Sequence, residues 1–85
     1  MSKHKQIEKN LQLSEKLMNY LADHPAESPT KKFGSVSFVI LTKSDTELNR
    51  LNIQLIESLL SEGKKVVKAL QTSDKNNPWT FSLAA

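Results

Sequence analysis

The spacing of hydrophobic and polar positions changes character several times along the chain. Over residues 5–24 the period is helical. Leu13, Leu17, Leu21, Ile7, Met18 and Leu11 fall on one side with Tyr20 at the margin, while Glu8, Lys9, Gln12, Glu15, Lys16, Asn19 and Asp23 fall on the other. So wide a stripe predicts a helix lying on a sheet. His24-Pro25 ends it, because proline disfavours the helical conformation in the residue before it.

Residues 35–42 lose the helical period. Val36, Phe38 and Ile40 point one way and Ser37, Val39 and Leu41 the other, so both sides are apolar. That pattern predicts a parallel, central strand covered on both faces. Helical spacing returns up to Glu62, opened by the capping box Ser44-Asp45-Thr46-Glu47 and closed by Gly63, which can take a left-handed conformation. Residues 65–71 read as a second strand. In the last segment Trp79, Phe81 and Leu83 alternate with Thr80 and Ser82, which predicts one buried and one wet face.

These elements give an α/β domain of order α-β-α-β-β spanning residues 1–85. It comprises an N-terminal helix (5–24), a linker (25–34), a strand-helix-strand unit (35–72), and a turn with an edge strand (73–83). A right-handed crossover makes the first two strands parallel, and the polar turn before Pro78 returns the third antiparallel to the second. A two-layer packing, both helices on one face of the three-stranded mixed sheet, is the favoured arrangement. It leaves Val39 and Leu41 beside Thr80, Ser82 and Lys68 on an open face, and so predicts a homodimer. The alternative has three layers, with the first helix carried across by the long linker.

Composition narrows the function more than the fold. The chain has 85 residues, no cysteine, and a formal charge of +3 from 12 basic and 9 acidic residues. Thiolate metal sites and disulfides are excluded. No secretory signal is legible, and no apolar run approaches the ~20 residues of a membrane span. A cytoplasmic protein with no membrane association is expected.

Asn49 and Asn52 stand out, because both lie within or beside the apolar sector of the second helix, near the C-terminal ends of the parallel strands. Open α/β sheets bind ligands at that edge. The simpler reading is that each amide pairs with nearby backbone. Ser44 and Asp45 share the edge and begin a helix, whose free N–H groups favour anions. The segment has no glycine, and Asp45 and Glu47 would repel a phosphate. Ser44, Asp45, Asn49 and Asn52 thus form a candidate polar edge for a small molecule or partner.

Lys31-Lys32 and Lys64-Lys65 each precede a parallel strand, which gathers Lys31, Lys32, Lys64 and Lys65 at the opposite edge. Nucleic acid or another anion could use this cluster. Nucleic acid is disfavoured, since neither an Arg-rich stretch nor a set of stacking aromatics accompanies it. No catalytic or metal-ligating set is apparent, and no cofactor is implied. Glu62-Gly63-Lys64 has the Glu-x-Lys form of metal-dependent nucleases, but Asp45 lies a helix length away, roughly 25 Å.

Four features together resemble a family of short prokaryotic proteins classed only as a domain of unknown function. They are Tyr20-Leu21-x-x-His24-Pro25, the apolar strand, Asp45-x-Glu47-Leu48-Asn49-x-x-Asn52, and Glu62-Gly63-Lys64-Lys65-Val66-Val67. The resemblance runs from about Ile7 to Leu70; the Trp79 segment lies outside it. It implies the same fold and no activity. The expectation is a non-enzymatic interaction module that self-associates through a sheet face or edge.

Overall fold

The computed structural model describes residues 1–29 and 34–84. Helix α1 (Lys3–Asp23) is followed by a short 3-10 turn (Pro25–Glu27), strand β1 (Ser37–Thr42), helix α2 (Thr46–Ser61), and strands β2 (Val66–Gln71) and β3 (Trp79–Ala84). The α/β order is the one that the hydrophobic pattern predicts. β1 pairs parallel with β2 and β3 antiparallel with β2, so β2 is central.

Local chemistry sets the element ends. Ser2 caps α1 by accepting from the Lys5 N–H at 3.1 Å. The cap of α2 is Asp45, one residue past the expected Ser44; its Oδ1 accepts from the Leu48 N–H at 3.0 Å. Ser44 instead lies 3.1 Å from the Thr42 hydroxyl. Gly63, at φ +80°, ends α2: its N–H bonds the Leu60 carbonyl and the Lys64 N–H bonds that of Leu59. This is a Schellman closure, and it needs the left-handed glycine.

The helices cover opposite faces. On one face Leu17 of α1 packs with Ile40, Ala69 and Trp79, flanked by Leu13, Tyr20, Leu21, Phe38 and Phe81. On the other, Ile56 of α2 packs with Val39 and Val66, flanked by Leu59, Leu60 and Ala84. Val39 and Ile40 are successive strand residues and point to opposite faces. The favoured two-layer packing therefore gives way to three layers. Both faces of β1 were apolar enough to need a helix each.

Three further expectations change. β1 is covered on both faces, as expected, yet it is an edge strand and not a central one. Only part of the α1 stripe is used: Leu17 is buried, whereas Ile7, Leu11 and Met18 are 51%, 67% and 51% exposed. In β3, Trp79 is buried, but Leu83 on the same side is 44% exposed. None of the helices among the described residues is long and apolar enough to cross a membrane.

Candidate functional site

The direction of each peptide group follows from the ladder. The Ser37 N–H bonds the Lys65 carbonyl at 2.9 Å, so Ser37, Val39 and Leu41 present their peptide groups to β2. Those of Phe38, Ile40 and Thr42 point out of the sheet. At the other side the Thr72 N–H bonds the Pro78 carbonyl at 2.7 Å. Thr80, Ser82 and Ala84 therefore face β2, and Trp79, Phe81 and Leu83 face outward.

Three of the outward groups of β1, at Ile40 and Thr42, are met by the two asparagines. Asn49 Oδ1 accepts from the Thr42 N–H at 2.9 Å, and its Nδ2 donates to the Thr42 carbonyl at 2.5 Å. Asn52 Nδ2 donates to the Ile40 carbonyl at 2.7 Å. A side-chain amide offers the same donor and acceptor as a peptide group. The pair thus stands where another strand would have to add.

Asn52 is fully buried and fully committed. Its Nδ2 also donates to Asn10 Oδ1 at 2.9 Å, while its Oδ1 accepts from Asn10 Nδ2 at 3.1 Å and from Gln6 Nε2 at 3.0 Å. Two donors and two acceptor positions are the whole capacity of the group. Gln6 and Asn10 come from α1, which at about 30 Å overhangs a sheet three strands wide. The helices on opposite faces therefore meet past the β1 edge, with Asn52 at the meeting point.

Ser44 and Asp45 sit elsewhere. With Lys9, Leu13, Lys16 and Leu48 they line a cleft of about 530 Å³ between α1 and the start of α2. Lys9 Nζ bonds Asp45 Oδ2 at 2.5 Å. This ammonium, and then the Leu48 N–H, holds the Asp45 carboxyl below its ordinary pKa. The walls carry Lys9 and Lys16 against Glu15 and Asp45, a balance of charge, and Asp45 is already engaged twice. The four residues of the expected polar edge thus divide: Ser44 and Asp45 face a cleft, while Asn49 and Asn52 face the backbone of β1.

Lys64 and Lys65 are exposed at the start of β2, at the opposite end of the sheet from Thr42 and Ser44. Lys31 and Lys32, the other half of the expected basic edge, lie outside the described residues. Among the described residues no group of three or more His, Cys, Asp or Glu side chains could hold a metal ion.

The β3 edge is the one that the sequence offers to another chain, and the cleft beside it is what sequence reasoning passed over. Among the described residues no hydrogen bond reaches the outward peptide groups of Trp79, Phe81 and Leu83. Beside them lies an open cleft of about 490 Å³, walled by Trp79, Thr80 and Phe81 on one side and by Ala26, Glu27 and Pro29 on the other. Tyr20 steadies that second wall: its hydroxyl donates to Glu27 Oε2 at 2.5 Å and its ring stacks on His24 at 4.3 Å. The bond to Glu27 raises the Tyr20 pKa above its ordinary value. A signal was present in the sequence, since 79–84 contains no charge and no proline to discourage strand addition.

The chain matches no family model, no curated protein and no solved structure. The resemblance to the domain of unknown function is therefore carried by the residues quoted for it alone.

Proposed function

We propose that the protein is a small, non-enzymatic interaction module that accepts an extended strand along the outer edge of β3. One contrast carries the reading. Of the two sheet edges, β1 is closed over residues 40–42 by asparagine side chains, whereas β3 is uncharged and its outward peptide groups meet no hydrogen bond among the described residues. Edge strands are usually blunted by charge, proline, bulges or cover. Strand addition draws affinity from main-chain hydrogen bonds and specificity from alternate side chains. Here Leu83 and the cleft beside Trp79 would supply the side-chain part.

The test uses a fluorophore-labelled peptide with the sequence of residues 78–84. Its anisotropy should rise on titration with the intact chain. The rise should be lost with Leu83→Pro, which deletes an outward N–H, and weakened at least several-fold with Leu83→Lys. Leu83 is 44% exposed, so both variants should keep the wild-type circular dichroism. No binding, or binding unchanged in both folded variants, would overturn the reading.

A further inference from the structure

We infer that the added strand is β3 of a second copy, antiparallel about a two-fold axis through Phe81. The inference rests on the strand-accepting reading of the same edge and names its partner. The outward residues Trp79, Phe81 and Leu83 are symmetric about Phe81. Antiparallel pairing on that centre sets Phe81 against the partner's Phe81 and Trp79 against the partner's Leu83. Each of these is a closely spaced pair that exchanges both main-chain hydrogen bonds.

The side chains fit the same axis. Leu83 is 44% exposed on its own chain, and the cleft beside Trp79 lies where the partner's Leu83 arrives. The two-fold makes each contact twice, knob to cleft and cleft to knob, as an isologous joint requires. On the other face Thr80 meets the partner's Ser82, a hydroxyl pair of the kind that stabilises cross-strand contacts. With no charge in 79–84, none is set against its like.

Closure follows from the β1 edge. Were both edges open, strand addition could continue copy upon copy into a fibre. Asn49 and Asn52 occupy the 40–42 half of the second edge and obstruct a strand there, so the assembly stops at two chains and one six-stranded sheet. A joint this narrow belongs with the small interfaces, below about 1,200 Å², so the dimer should dissociate on dilution.

Disulfide trapping tests the register. The chain has no cysteine, so any disulfide formed by a single-cysteine variant joins two chains. Thr80 and the partner's Ser82 form a widely spaced pair with Cα atoms about 4.5 Å apart, within disulfide reach. Thr80 and the partner's Thr80 are diagonal at about 7–8 Å, beyond it. A mixture of T80C and S82C proteins, oxidised at high concentration, should give several-fold more covalent dimer than either variant alone. Equal yields, no covalent dimer, or S82C cross-linking best by itself would overturn the inference. If trapping fails while the 78–84 peptide still binds, the strand-accepting edge stands and the second copy is not its partner. If both fail, the reading of the edge fails with it.

Discussion

The side chain of Asn49 pairs with Thr42 as the next strand of a sheet would, accepting from its N–H at 2.9 Å and donating to its carbonyl. With Asn52 on the Ile40 carbonyl, this closes the outer half of β1 without a further strand. The asymmetry between the two sheet edges, and the function proposed from it, begins with these contacts.

Asn52→Leu should destabilise the fold strongly. It would leave Gln6, Asn10 and the Ile40 carbonyl short of a partner, and each orphaned buried group costs about 1–3 kcal/mol. Asn49→Ala, at a half-buried site, should cost about 1–2 kcal/mol. Urea unfolding of the two variants measures both. Asn52→Leu as stable as wild type would remove the sealing role.

Proline scanning of β3 should read out the direction of its peptide groups. The Ser82 N–H faces β2, opposite Lys68, so Ser82→Pro breaks a ladder bond and should cost about 1–3 kcal/mol. The Leu83 N–H faces outward, so Leu83→Pro should leave the midpoint of unfolding close to wild type. The reverse order would show that the edge is turned the other way.

Acid should loosen the start of α2. The Lys9 ammonium, then the Leu48 N–H, depresses the Asp45 pKa from its ordinary 3.8. The stabilisation is fully present above that ordinary value, and it is lost as the pH falls through the lowered one. In Asp45→Asn the part of the acid-induced loss below about pH 4 that belongs to this carboxylate should vanish, as seen in urea midpoints across a pH series. High salt should shrink the wild-type effect, because Lys9 and Asp45 are partly exposed.

Gly63→Ala should cost about 1–2 kcal/mol, the strain of holding an L-residue left-handed. No atom crowds the position, so the loss would be conformational and not steric. Gly63→Asn, which tolerates that region better, should recover part of the stability.

Much of this fold could be read along the chain because its signals are local. The helix start at 44–47, one residue early at its cap, the Gly63 stop and the Trp79-Thr80-Phe81-Ser82 alternation each act within a few residues. The face taken by α1 was not legible, because the linker 25–34 reaches either side. Nor was the depth of cover: alternation puts Leu83 on the side of Trp79 but cannot say that the covering layer ends before it. The helical period placed Asn52 among apolar residues and so marked it as unusual. Its partners lie on β1 and α1, 12 and more positions away in sequence, and no spacing rule within α2 could supply them.

The central claim, that the β3 edge receives a strand, is tested most directly by residue-resolved amide exchange of the intact chain across a concentration series, with and without the 78–84 peptide. Protection of Phe81 and Leu83 should rise with the concentration of either, while Thr80 and Ser82, already bonded to β2, stay protected throughout. Outward amides that exchange at the same fast rate under every condition would contradict the account.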